Sequence, residues 1–214
     1  MDKPAASPAI PLLSGLSEVA GRYEAVLCDV WGVVHNGVAA HPGAADALSR
    51  FRAGGGRVLL VTNAPRPSAP VRDQLRGLGF PDEAYDDVVS SGDVTRADLL
   101  ERGVVRVHMI GPDRDLSLFE GTPITLVEPE AAELVVCTGL LDDRRETPDD
   151  YRALLRELVG RGLEFVCANP DIVVERGEEL LYCSGALAAI YEALGGQVAQ
   201  YGKPHAPIYK AASE

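Results

Sequence analysis

Val26-Leu27-Cys28-Asp29-Val30-Trp31-Gly32-Val33-Val34-His35-Asn36-Gly37 decides how the rest of this 214-residue chain is read. An apolar run ends in an aspartate, and glycine follows within a few residues. Such a run reads as a buried strand that delivers one carboxylate into a loop, where glycine lets a ligand approach the backbone closely. Two remote fragments have a matching form. Val58-Leu59-Leu60-Val61-Thr62-Asn63 is a second apolar strand ending in a hydroxyl and an amide, and Tyr201-Gly202-Lys203-Pro204 sets a lysine in a Gly/Pro turn. A carboxylate, a hydroxyl donor and an ammonium on such segments make Asp29, Thr62 and Lys203 a candidate phosphate site.

Around these fragments strand and helix patterns alternate. Residues 25–30 read as a strand. Residues 43–53 read as a helix, with Ala44, Ala47, Leu48 and Phe51 at helical spacing and Gly54-Gly55-Gly56 as its stop. Residues 57–61 form the next strand, residues 69–78 a helix ended by Gly79, and Val88-Val89 a short third strand. This order predicts a parallel sheet with helices on both faces and ligands at the carboxyl ends of the strands, where Asp29 and Thr62 fall. After Ser90 the rhythm restarts with a helix over 94–102, a strand over 105–110, a polar turn at Gly111-Pro112-Asp113, a strand over 133–138, a helix over 148–160 and a strand over 163–168. This reads as a second α/β unit of roughly 90 residues. A helix over 186–194, a strand over 198–201 and a helix over 206–212 are expected to rejoin the first unit. The expected division is a discontinuous core, 1–90 and 184–214, with an insertion over 91–183.

Composition narrows the classes. Hydrophobic residues make up 46% of the chain but aromatic residues only 6%, which predicts an aliphatic core. The formal charge of -12 and the lack of any Lys/Arg run argue against nucleic acid and anionic membrane as partners. No apolar stretch approaches the roughly 18 residues of a membrane span. Residues 1–11, rich in Ala and Pro, read as a loose arm without the pattern of a signal peptide. Cys28, Cys137, Cys167 and Cys183 lie in or beside apolar runs with no CxxC pair, which reads as buried free thiols and a cytoplasmic location, rather than disulfides or a zinc site. The charge run Asp142-Asp143-Arg144-Arg145-Glu146 reads as a solvated approach to a helix.

In this order, Asp29-x-Trp31-Gly32-Val33, Thr62-Asn63 and Gly202-Lys203-Pro204 resemble motifs one, two and three of the haloacid dehalogenase superfamily. The insertion between the second and third motifs resembles the α/β cap of its NagD-like branch, subfamily IIA, as do Asn169-Pro170-Asp171 and Ser184-Gly185-Ala186-Leu187. The resemblance implies a Rossmann-like core with a mobile C2-type cap and Mg²⁺-dependent phosphoryl transfer through an aspartyl-phosphate. It makes Asp29 the nucleophile and a metal ligand, with the Trp31 backbone carbonyl as a second ligand. Thr62 would bond the phosphoryl oxygens, and Lys203 would neutralise Asp29 and the transferring group. Asn63 and Arg66, just after motif two, would bind substrate or shape the loop. Asn169 and Asp171 would face the substrate from the cap, although Asn-Pro is also an ordinary turn signal. A cap-mediated homodimer is a family expectation.

Two departures stand out. The family's phosphatases carry a second aspartate two residues after the nucleophile, as the acid that protonates the leaving oxygen and later activates water. This chain has Trp31 there, and an indole cannot do that work. His35 is near enough in sequence to be considered as a substitute. The family's fourth motif, an acid pair closing the Mg²⁺ site, has no counterpart after Lys203, so the metal site is expected to be incomplete and the chain a shortened form with one sheet edge bare. Asp86, Asp87 and Asp93 read as surface acids, with a ligand supplied by one of them as the alternative. The leading expectation is a hydrolase of a small phosphorylated metabolite, such as a sugar or nucleotide phosphate. The alternatives are a catalytically impaired homologue that binds a phosphorylated ligand or a protein partner, and a metal-independent dehalogenase.

Overall fold

The computed structural model of the chain describes residues 12–214, and the arm expected at residues 1–11 lies outside the described residues. Strand β1 (Ala25–Asp29), helix α1 (Pro42–Ala53), β2 (Arg57–Thr62), α2 (Ser68–Gly77) and β3 (Asp87–Ser90) build the first unit. Its sheet is parallel, in the order β1-β2-β3. Alternation along the strands sends Cys28, Leu60 and Val88 to one face, where they pack on Leu48 and Phe51 of α1 and Val71 and Leu75 of α2. The register sets Asp29 opposite Val61, so the carboxylate of β1 and Thr62 of β2 emerge side by side at the same sheet end. Among the described residues β1 pairs with β2 alone, and Leu27 is 50% exposed. The strand read as buried therefore has one open face.

Helix α3 (Ser91–Glu101) starts at a capping box in which Ser90 and Asp93 satisfy each other's backbone N–H groups. The second unit follows with β4 (Arg106–Ile110), β5 (Thr125–Leu126), β6 (Leu134–Cys137), α4 (Arg152–Gly160), β7 (Glu164–Cys167), a hairpin of β8 (Val173–Arg176) and β9 (Glu179–Tyr182), α5 (Ser184–Ala193) and β10 (Val198–Gln200). Its parallel sheet has the order β10-β7-β6-β4-β5. One face buries Leu155, Phe165, Leu187 and Tyr191, and the other buries Leu99, Val107, Leu118 and Val136. Helix α6 (Ala206–Ala211) returns to lie against α3 and β3.

The strand expected to rejoin the first unit does not do so. β10 pairs with β7, Val198 opposite Phe165, and the helix before it packs on the same sheet. The cause is local packing. The ring of Tyr191 stacks on Phe165 with centroids 4.9 Å apart, and its hydroxyl donates to the Leu163 carbonyl at 2.6 Å. The chain therefore recrosses to the first unit only after Tyr201, itself buried against the second unit. The β8–β9 hairpin and the two-residue β5 have no counterpart in the sequence reading.

All four cysteines are free and buried. Burial pushes the Cys28 and Cys167 thiols up to about 11 and Cys183 to about 12. No described helix is long and apolar enough to cross a membrane.

Candidate active site

The two units enclose a cavity of about 750 Å³ whose walls include Asp29, Trp31, Thr62, Asn63, Arg66, Asn169, Asp171 and Lys203. Every site residue inferred from the sequence thus reaches one place. Asp29 stands at the carboxyl end of β1, and its Oδ1 accepts from the Val30 N–H at 2.7 Å and from the Lys203 ammonium. The same ammonium donates to the Val61 carbonyl at 2.7 Å. Lys203 is thereby fixed to the ends of two adjacent strands. Oδ2 of Asp29 makes no hydrogen bond among the described residues and is free for a ligand. Thr62 is buried beside it, and its Oγ1 accepts from the Ala64 N–H at 3.2 Å while keeping its own proton to donate.

Asn63 ties the loops together through its amide. Its Oδ1 accepts from the Lys203 N–H at 2.6 Å, and its Nδ2 donates to the Lys203 carbonyl at 3.0 Å and to Asp171 Oδ1 at 2.9 Å. The amide is spent on protein, holding the Lys203 backbone and the Asp171 loop against the end of β2. Gly202 completes the fit, because a Cβ there would lie 2.5 Å from Asn63 Oδ1. Replacing Asn63 by alanine is expected to destabilise the fold by about 2–4 kcal/mol, since buried partners on both sides lose their bonds. Urea denaturation of the two proteins measures this.

The Asn169 side-chain oxygen and backbone are likewise committed to structure. Its Oδ1 accepts from the Asp171 N–H at 3.1 Å, and its backbone is clamped by Ser184 Oγ, which accepts from the Asn169 N–H at 3.1 Å and donates to its carbonyl at 2.7 Å. Asp171 is the member of that loop with a carboxylate in the cavity. Burial raises its pKa, with the Asn63 bond and the Lys203 charge opposing.

Arg66 reaches across the cavity. Its Nη2 donates to Gln74 Oε1 at 2.6 Å, and its Nε lies 3.7 Å from Asp115 Oδ1 of the second unit. Burial lowers the Arg66 pKa and raises that of Asp115, each partly offset by the other. Arg114 and Asp143, paired at 2.6 Å, continue this wall. Asp115, Arg114 and Asp143 escaped the sequence reading. Asp143 belongs to the run read as solvated, yet its side chain is 18% exposed. The one available signal was the polar turn at Gly111-Pro112-Asp113, just before Arg114 and Asp115.

Trp31 and His35 form the rim. The indole Nε1 donates to the Glu175 carbonyl of β8 at 2.6 Å, and the ring stands edge-on to His35 with centroids 5.0 Å apart. His35 is buried, and burial lowers its pKa. Its Nδ1 accepts from the Gly37 N–H at 2.9 Å, so the neutral ring carries its proton on Nε2 and offers no free base. Asp86, Asp87 and Asp93 are absent from the cavity walls. Asp86 binds Arg52 and the Val58 N–H, Asp87 binds Arg72, and Asp93 caps α3.

The donors here were tested for a divalent cation. Asp29 Oδ2 and the Trp31 carbonyl are two oxygens, and no group of three His, Cys, Asp or Glu residues that could hold a metal occurs among the described residues. Magnesium wants near-octahedral oxygen coordination. The described residues do not fit such an ion by themselves.

A parallel α/β fold, with an aspartate at a strand end held under a lysine ammonium inside an inter-unit cavity, is the architecture of haloacid dehalogenase superfamily phosphatases. The haloacid dehalogenase-like hydrolase family matches residues 26–125. A hydrolase of the haloacid dehalogenase-like family from Brucella suis 1330 is 53% identical, with a TM-score of 0.91 over 94% of this chain and 74% of that one. The chain therefore belongs to the haloacid dehalogenase-like hydrolase family. Human haloacid dehalogenase-like hydrolase domain-containing protein 2 is 38% identical over 99 residues, 46% of this chain and 38% of the relative. The match thus spans well under half the length of that curated relative. A glycerol phosphate phosphatase from Mycobacterium tuberculosis in complex with calcium is 26% identical, with a TM-score of 0.68 over 91% of this chain and 57% of that one. The same enzyme has also been solved in complex with magnesium.

Proposed function

We propose that the cavity binds a small phosphorylated metabolite and that Asp29 accepts its phosphoryl group. The observation that carries this reading is the Lys203 ammonium, held between Asp29 Oδ1 and the Val61 carbonyl. Oδ1 is taken by donors, so Oδ2 is the attacking atom. Its bond to phosphorus forms as the bond to the leaving oxygen breaks, giving an aspartyl-phosphate. Attack of water on that phosphorus returns the carboxylate and releases phosphate. The lysine offsets negative charge on both reactants, and the Thr62 hydroxyl donates to a phosphoryl oxygen. Arg66 and Asp171 would contact the remainder of the substrate. Support for the substrate class comes from the relative that is a glycerol phosphate phosphatase. The magnesium dependence implied by the family is not carried through any step here, because the described residues supply too few ligands.

Trp31 sets the order of substrates. With its N–H given to Glu175, it offers the leaving oxygen no proton, and such a relay contributes roughly 10²–10⁴-fold. An aryl phosphate, whose phenolate leaves without protonation, is expected to turn over at least about 10²-fold faster than an alkyl phosphate such as glycerol phosphate. Steady-state rates for the pair decide the matter, and equal rates would remove this account of Trp31. The same residue favours a second reading, a homologue that holds a phosphorylated ligand without turnover. Saturable phosphate-ester binding with no release of phosphate would select it.

A further inference from the structure

We infer that Trp31 is a positioning residue that latches the β8–β9 hairpin against the Asp29 loop and so shapes the wall of the cavity. Among the described residues the hairpin's two strands pair only with each other, and Leu180 on it is 67% exposed. Val174, Glu175, Leu181 and Tyr182 nevertheless line the cavity. A two-stranded ribbon of this size is marginal by itself, so its place depends on what it touches.

Among the described residues two hydrogen bonds tie it to the first unit. The Trp31 indole donates to the Glu175 carbonyl at 2.6 Å, and the Gly177 N–H donates to the Asn36 carbonyl at 3.3 Å. The first is short, comes from a rigid ring, and satisfies a backbone acceptor on the strand that borders the cavity. The ring is itself held from both sides. His35 meets it edge-on, and Gly37 lies so close that a Cβ there would be 2.7 Å from the indole and 3.2 Å from Arg176 Cγ. Gly37 also has φ of 81°, which suits glycine. The segment from Trp31 to Gly37 is thus folded to present one indole N–H to one carbonyl. On the other side an exposed ion pair, Arg144 with Glu179 at 3.2 Å, joins the hairpin to the second unit. Such pairs contribute little.

The position two residues beyond the nucleophile therefore carries a latch. Its effect on turnover rests on the phosphoryl-transfer reading, but its effect on the hairpin does not. Trp31 is the single tryptophan of the chain, so its fluorescence reports the latch directly.

The test is amide hydrogen exchange of the full chain. Trp31→Phe keeps an aromatic edge for His35 and deletes the donor. Exchange over residues 174–181 is expected to rise about five- to ten-fold while the strands of both sheets stay protected, the scale of one lost hydrogen bond. Arg144→Ala is expected to change it less than two-fold. Unchanged exchange in Trp31→Phe, or an equal rise in Arg144→Ala, overturns the latch. If the Trp31 variant fails to fold, the native protein still decides. In urea below the global transition, acrylamide quenching of Trp31 and hairpin exchange are expected to rise together before far-UV circular dichroism changes. An indole that stays shielded until global unfolding refutes a separately opening hairpin. In an active preparation, Trp31→Phe is further expected to raise KM by a larger factor than it lowers kcat. The opposite split assigns Trp31 to the chemical step and overturns the proposal. An inactive preparation bears only on the phosphoryl-transfer reading and leaves the exchange result standing.

Discussion

Asp29→Asn is expected to abolish release of phosphate from an aryl phosphate, by at least about 10³-fold, with the fold intact. The carboxamide is nearly isosteric and can still accept from the Val30 N–H and the Lys203 ammonium through its oxygen. It has no charge with which to attack phosphorus. Because the Asp29 side chain is 46% exposed, the substitution leaves no buried cavity and the urea midpoint should barely move. Retained activity in Asp29→Asn would falsify the assignment of the nucleophile. The wild type should also become labelled at one aspartate when quenched in acid during turnover, and the variant should not.

Lys203→Met removes the ammonium and keeps most of the stem. Turnover of the aryl phosphate is expected to fall by roughly 10²-fold or more, and affinity for inorganic phosphate by roughly ten-fold, since two negative groups then meet with nothing between them. The backbone contribution of residue 203 survives, because Asn63 grips its N–H and carbonyl and neither depends on the side chain. Calorimetric titration with phosphate reads the binding loss without requiring turnover. A variant that binds phosphate as tightly as the wild type would show that the lysine orders the loop and does not face the anion.

The first sheet was legible because its signals are local. Alternating apolar runs end in Asp29 and Thr62, and glycines stop both helices. Convergence of Asp29, Thr62 and Lys203 could be inferred from motif order, although only the fold brings residue 203 to the ends of β1 and β2. What the sequence concealed depends on neighbours. Strand β10 has three residues, and its sheet was decided by Tyr191 stacking on Phe165. The β8–β9 hairpin is short and charged around Gly177, so its pattern resembles a loop. Asn63 looks like a ligand-binding amide in one dimension, yet its polar atoms are taken by the Lys203 backbone, 140 positions away, and by Asp171, and the Asn169 oxygen is taken by the backbone two positions on. Arg114, Asp115 and Asp143 face inward only because the second unit folds over the first.

The buried sulfhydryls have a practical consequence. Each resists ionisation at neutral pH, and none is open to a bulky reagent. A cysteine placed at exposed Leu180 would therefore be the one readily alkylated position among the described residues. A dye attached there, on the residue paired with Glu175 whose carbonyl the lone indole binds, would turn opening of the ribbon into a change in energy transfer, with no native thiol removed beforehand.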